Sequence, residues 1–90
     1  MIKHANITIR GRVQGVFFRD SVEKRAIDYA LTGFVQNEPD GSVYIEIEGE
    51  EEKIDKFIDW CKEGPVGAIV EDVEYEFGPV KKFAHFEARY

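Results

Sequence analysis

The pattern of hydrophobic spacing predicts an α+β fold. It is a two-layer sandwich in which a mostly antiparallel sheet of four to five strands carries two helices on one face. Three observations lead there. Several short stretches alternate apolar and polar residues with period two, as strands with one buried side do. Two stretches, around 18–30 and 50–63, switch to the three-to-four-residue spacing of one-sided helices. The elements run strand, helix, strand, strand, helix, strand, with a short strand at the end.

Taken in order, Ala5, Ile7, Ile9 and Val13 share one face of the first strand, and Asn6, Thr8, Arg10 and Arg12 share the other. Phe18, Val22, Ala26 and Ala30 then recur every four residues, with Tyr29 alongside. Asp20 and Glu23 lie near the start of this stripe, where the helix dipole favours anions. Gly33 is expected to end the turn after this helix. Phe34-Val35-Gln36-Asn37 reads as a short strand, and Pro39-Asp40-Gly41-Ser42 carries turn chemistry, because Pro presets φ and Gly permits a positive one. Val43, Ile45 and Ile47 alternate with Tyr44, Glu46 and Glu48 in the hairpin partner.

The second helix has the strongest local pattern. Glu50, Glu51 and Glu52 fill its first turn, and Ile54, Phe57, Ile58 and Cys61 form its stripe. Lys62-Glu63-Gly64-Pro65 closes it. Ile69, Val73, Tyr75 and Phe77 alternate with Asp72, Glu74 and Glu76 in a further strand, whose start Val70 and Glu71 blur. Residues 83–90 alternate again. Two one-sided helices with half-polar strands match the split βαβ, or ferredoxin-like, plan.

Ninety residues, 43% hydrophobic and 33% charged, fit one globular domain over 1–90. No apolar run approaches membrane-spanning length, and Met1-Ile2-Lys3-His4-Ala5 lacks a signal-peptide core, so the expected compartment is the cytoplasm. A lone Cys61 excludes an intramolecular disulfide and any multi-cysteine metal site. His4 and His85 have no ligand-spaced partners, so no metal and no cofactor is expected. The net charge of −6 is uneven: residues 1–25 hold six Lys/Arg against two Asp/Glu, and the remainder holds six against sixteen. Four of the five arginines fall at Arg10, Arg12, Arg19 and Arg25. An acidic body repels nucleic acid and anionic lipid, while a local basic spot still attracts a small anion.

The chemistry concentrates in Gly11-Arg12-Val13-Gln14-Gly15-Val16-Phe17-Phe18-Arg19. A glycine-bearing turn that feeds a helix start presents unpaired backbone N–H groups and the positive end of a dipole, which together suit an anion. The amides of Gln14, Gly15, Val16, Phe17 and Phe18 are the candidate phosphate-binding loop. Arg19 adds a permanent charge and a forked set of donors. The split βαβ plan then supplies a partner. The first and second strands run the same way with the third between them, so Arg19, after the first, and Asn37, at the end of the second, emerge at one sheet edge. Two strand spacings of ~4.8 Å separate them, a gap that an arginine, a phosphate and a water bridge. Asn37 has an acceptor and a donor with which to hold an attacking water, but no basicity. Such a site suits a substrate with a good leaving group.

The same residues resemble a known family. Gly11 to Arg19 is similar to the signature of the acylphosphatases. Gly33-Phe34-Val35-Gln36-Asn37, with Asp40-Gly41-Ser42-Val43 after it, resembles that family's second motif. Gly64-Pro65 and Phe86-Glu87-Ala88-Arg89-Tyr90 resemble its later landmarks. The resemblance implies hydrolysis of the carboxyl-phosphate bond of acyl phosphates by in-line attack of water, without metal or covalent phospho-enzyme. Arg19 and the loop amides would hold the phosphate, and Asn37 would orient the water. It implies a small-molecule acyl phosphate as substrate and inorganic phosphate as product. A monomer is expected, and the acidic balance of the chain leaves no nucleic-acid or membrane partner expected.

The chain departs from the family pattern in four places. Phe17 stands where the motif commonly has Gly or another small residue, and Phe34 replaces the usual tryptophan. Tyr29-Ala30 stands where Leu-Gly is frequent, and Ala88 where a larger aliphatic is. Phe17 keeps a second reading open: a non-catalytic ferredoxin-like module that binds anions or a partner, with hydrolysis impaired by Phe17. An RNA-binding module on the same plan would need an aromatic-basic run on the sheet, and the chain has none. Related domains also occur inside larger carbamoyl-transfer maturation proteins; a start at Met1 and an end on the last strand are read as a free-standing protein.

Overall fold

Strand β1 (Ile2–Arg12) forms the spine of the sheet because both its sides are paired. It runs antiparallel to β3 (Val43–Glu50), with Ile7 opposite Ile45, and antiparallel to β4 (Ile69–Gly78), with Ile7 opposite Tyr75. In a computed structural model describing residues 1–90, the other elements are α1 (Phe18–Asp28), β2 (Thr32–Asn37), α2 (Glu51–Glu63) and β5 (Phe86–Arg89). The strand order is β4-β1-β3-β2-β5, and only β5, parallel to β2, departs from antiparallel pairing. This is the split βαβ sandwich expected from the alternation of periods.

The core lies between the sheet and the two helices. Ala5, Ile7 and Ile9 of β1, with Ile45 and Ile47 of β3, meet Val22 and Ala26 of α1 and Ile54, Phe57 and Cys61 of α2, all at 0% exposure. Each Val, Ile or Phe side chain among them contributes about 1.5–3 kcal/mol of burial. Trp60 flanks the α2 stripe against Phe18 and Phe57. Burial pushes the Cys61 thiol well above its usual range, so it behaves as a small hydrophobe.

Three details differ from the sequence reading. Ala30, not Gly33, ends the α1 turn. Leu31 N–H donates to Ala26 O and Ala30 N–H to Ile27 O, the paired bonds of a Schellman cap, with Ala30 in left-handed backbone at φ 57°. Gly33 serves close approach instead: a Cβ there would lie 1.8 Å from Glu46 O across the ladder. On β4 the alternation is right, but Tyr75 and Phe77 stay about half exposed, at 49% and 46%, because β4 is an edge strand that the helices cover only partly. The blurred start of β4 is a register shift. Arg10 pairs with Asp72 and Gly11 with Val70, which leaves Glu71 as the extra residue.

The third difference concerns the polar side of the sheet. Glu46 and Glu48 alternate with Ile45 and Ile47, so they should face solvent, yet both are buried. The segment joining β4 to β5 crosses over them. Lys81 Nζ reaches Glu46 at 2.9 Å, and the backbone N–H groups of Lys81, Lys82 and Phe83 donate to the Glu48 carboxylate. His4, fully buried, bonds Glu48 through Nδ1 at 2.8 Å and Asn6 through Nε2 at 2.7 Å, and its ring stacks on Phe83.

Candidate active site

The sheet topology sets the place of the site. β1 and β2 both run antiparallel to β3, so they run the same way and end at one edge. The β1–α1 turn leaves that edge and carries two left-handed residues, Gly15 at φ 76° and Phe17 at φ 60°, ψ 26°. Glycine adopts this conformation freely; a side chain such as that of Phe17 costs about 1–2 kcal/mol there. Phe17 is the N-cap of α1 and offers no side-chain cap. Ser21 N–H closes the first turn onto Phe17 O at 3.1 Å, and the backbone N–H groups of Gly15 through Asp20 donate to no protein acceptor. A run of free donors at the positive end of a helix suits an anion.

Beside this turn lies a cleft of about 300 Å³. Gly15, Phe17, Phe18, Arg19 and Asp20 form one wall; Asn37 of β2, Tyr90 and Val13 complete it. Arg19 and Asn37, the two residues expected to carry the chemistry, thus share one cavity, and three of the five expected loop residues line it with them. Gln14 and Val16 do not. The Gln14 side chain is a tether: its Nε2 donates to Glu38 O at 2.8 Å and Ser42 O at 2.9 Å, tying the turn to the β2–β3 connection. That connection is itself firm, since Ser42 donates to Asp40 through both its amide and its hydroxyl. Those bonds hold the Asp40 carboxyl below its usual range.

Arg19 is oriented by residues that the sequence reading left without a role. Its Nη1 donates to Arg89 O at 3.1 Å, and its guanidinium lies 4.0 Å from the Tyr90 ring centroid. Tyr90 Oη donates in turn to Asp20 Oδ1 at 3.3 Å. One of five guanidinium N–H donors is used by the protein, and the ring fixes the plane of the others. The sequence signals for this support were the alternation of residues 83–90 and the resemblance of Phe86 to Tyr90 to a family landmark, and neither gave Arg89 or Tyr90 a role. It takes the pairing of β5 beside β2 to bring Arg89 and Tyr90 to the cleft.

Asn37 is the chemical anomaly of the cleft. Its Oδ1 is buried and is the only such side-chain polar atom without a hydrogen-bond partner. A buried acceptor left unmade costs about 1–3 kcal/mol, so a fold keeps one only for a reason. A water donating a proton to that oxygen would point its lone pair away from Asn37, toward whatever the loop and Arg19 hold.

A split βαβ sandwich with a turn of free N–H groups, a held arginine and an orphan carboxamide oxygen in one cleft is a small α+β protein whose cleft suits a small anion. Comparison with known proteins makes this specific. The acylphosphatase family model matches residues 5–88. An acylphosphatase of Rubrobacter xylanophilus is 47% identical over 88 residues, covering 97% of this chain and 80% of its own. Solved acylphosphatases from Coxiella burnetii and Bacillus subtilis superpose with TM-scores of 0.95 at 39% and 33% identity. They cover 98% and 100% of this chain, and 93% and 100% of their own. The chain belongs to the acylphosphatase family. It is an enzyme that hydrolyses acyl phosphates to carboxylate and inorganic phosphate.

Proposed function

We propose that Arg19 and the loop amides bind the phosphoryl group while Asn37 delivers the water. The observation that carries this reading is the unpartnered Asn37 Oδ1, buried in the same cleft as Arg19 and the free N–H groups. The non-bridging oxygens accept bonds from the amides of Gly15 to Phe18 and from the free Arg19 donors. Positioning and charge neutralisation are most of what phosphoryl transfer requires. The water donates one proton to Asn37 Oδ1 as a hydrogen bond and attacks phosphorus in line with the acyl oxygen. Its oxygen forms the new P–O bond, and the carboxylate leaves with the electron pair of the bond that breaks. A carboxamide takes no proton at neutral pH, so the proton lost by the water goes to a phosphate oxygen of the substrate.

Among the residues expected to form the loop, Gln14 and Val16 contribute their backbone and the hold on the turn rather than the cleft wall. The same reading has residues 1–90 acting as one domain, a monomer in the cytoplasm, apart from nucleic acid. A net charge of −6 works against binding a polyanion. No helix is long and apolar enough to cross a membrane.

The test is hydrolysis of benzoyl phosphate, with and without chelator. Arg19→Ala should lower kcat by roughly 10²–10³, the scale for losing one preorganised charge-stabilising group. Asn37→Ala should lower kcat while leaving competitive inhibition by inorganic phosphate in place, because it touches the water and not the anion. Turnover insensitive to both substitutions would remove these roles.

A further inference from the structure

Phe17 makes little structural sense as a packing residue. It occupies left-handed backbone, is 80% exposed and belongs to no part of the core. A strained, solvated aromatic ring is a feature that folding alone gives no reason to keep. Its position supplies one, because this exposed residue lines the cleft that holds Arg19 and Asn37. Tyr90, 87% exposed, lines the same cleft, and the Arg19 guanidinium lies over its ring. Val13 and Phe18, the remaining apolar lining, are buried and turned to the core. The apolar surface that an incoming substrate meets is therefore that of two aromatic rings. The one acidic group on the wall is Asp20, bonded by the Tyr90 hydroxyl.

We propose that Phe17, with Tyr90, is the acyl-group recognition element of this enzyme and selects acyl phosphates whose acyl part is aromatic or otherwise apolar. The proposal rests on the reading of the cleft as the hydrolytic site. Once the phosphoryl group is held by the amides and Arg19, the acyl group is the part of the substrate left to reach the mouth. An aryl group there gains face or edge contact with the two rings. An acetyl group offers far less apolar surface to the rings than an aryl group does, and Asp20 disfavours an acyl part with a negative charge of its own.

The experiment compares kcat/KM for benzoyl phosphate and acetyl phosphate in the wild type and in two variants. Phe17→Asn keeps a residue that tolerates left-handed backbone, so the turn is retained while the ring is lost. Phe17→Tyr restores the ring. The benzoyl-to-acetyl ratio should fall roughly three- to tenfold in Phe17→Asn, mainly through a higher KM for benzoyl phosphate, and recover in Phe17→Tyr. An unchanged ratio in Phe17→Asn, with both substrates still turned over, overturns the aromatic selection and leaves the hydrolytic site standing. Absence of turnover on both substrates in the wild type overturns the hydrolytic site and the selection with it.

Discussion

Phe17 and Lys82 both sit in left-handed backbone, at φ 60° and φ 61°, and each lies in a run of N–H groups outside the sheet ladders. At Lys82 the run is filled by the protein. The amides of Lys81, Lys82 and Phe83 all close on the Glu48 carboxylate, which His4 also bonds. At Phe17 the amides of Gly15 through Asp20 have no protein acceptor, and a buried oxygen of Asn37 beside them is unpartnered. The same backbone device anchors a crossover in one place and is left without a protein acceptor in the other. What separates them is whether a side chain of the fold supplies the anion. Satisfied polar groups mark structure here, and the unsatisfied ones are those to which the proposed function assigns the chemistry.

That comparison breaks most visibly at its filled end. Glu48→Ala removes the acceptor of three amides and of a buried histidine, which should cost about 3–5 kcal/mol, the scale for removing one partner of a buried charged cluster. Urea denaturation monitored by circular dichroism measures it. A loss below about 1 kcal/mol would show that the cluster is not what holds the crossover. Molecules that remain folded should keep their kcat, because Glu48 lies on the opposite face of the sheet from the core and lines no part of the cleft.

The open end should respond the other way. The Asn37 side chain makes no hydrogen bond, so Asn37→Ala removes an unpaired buried acceptor rather than a contact. Stability should stay level or rise by up to about 1 kcal/mol while kcat falls. Denaturation and turnover measured on one preparation separate the two effects. A substantial loss of stability would mean that the oxygen has a structural partner.

Acid sharpens the contrast further. Burial by itself would raise the Glu48 carboxyl, but the amides of Lys81 and Phe83 and the His4 bond outweigh it, and the net shift is downward from 4.5. Glu46 follows the same logic: burial raises it, the Tyr44 and Lys81 bonds overcome that, and the net shift is again downward. The unfolded chain therefore binds these protons more readily than the folded one. Their stabilisation is fully present above about 4.5 and is lost as pH falls through the lowered values. The midpoint of thermal unfolding should drop on acidification below that point, and the drop should be shallower in Glu48→Gln, which has no carboxyl to titrate.

How much of this was legible in the chain follows from how local each signal is. The α2 stripe of Ile54, Phe57, Ile58 and Cys61 needs only one helix to be recognised, and all four are buried. Arg19 and Asn37, eighteen residues apart, came together because strand order is itself a consequence of the sequence of periods. Glu46 and Glu48 did not declare themselves, because their alternation is that of an exposed face. Only the crossing of Lys81 to Phe83 over the sheet buries them, and nothing in the local pattern of the chain places that segment there. The hold of Arg89 and Tyr90 on Arg19 was hidden for a similar reason, since it depends on β5 lying beside β2. Ala30 was hidden by a competing glycine three residues on.

Ala30 provides the finest test of what left-handed strain is for. It ends α1 at φ 57°, with both bonds of a Schellman cap made and no ligand site near it, so its strain is the cost of a turn and nothing else. Ala30→Gly relieves about 1–2 kcal/mol of strain and returns part of it as unfolded-state entropy, leaving a net gain of about 0.5–1 kcal/mol. Phe17→Gly relieves strain of the same kind at φ 60°, and should stabilise by a similar amount. If the two positions differ only in what the side chain does for substrate, the denaturation curves of both variants should shift together. The benzoyl-to-acetyl ratio should then change in Phe17→Gly alone. A ratio that moves equally in Ala30→Gly would make it a report on general loosening of the fold, and the distinction between the strained turn that ends a helix and the strained turn that meets a substrate would not hold.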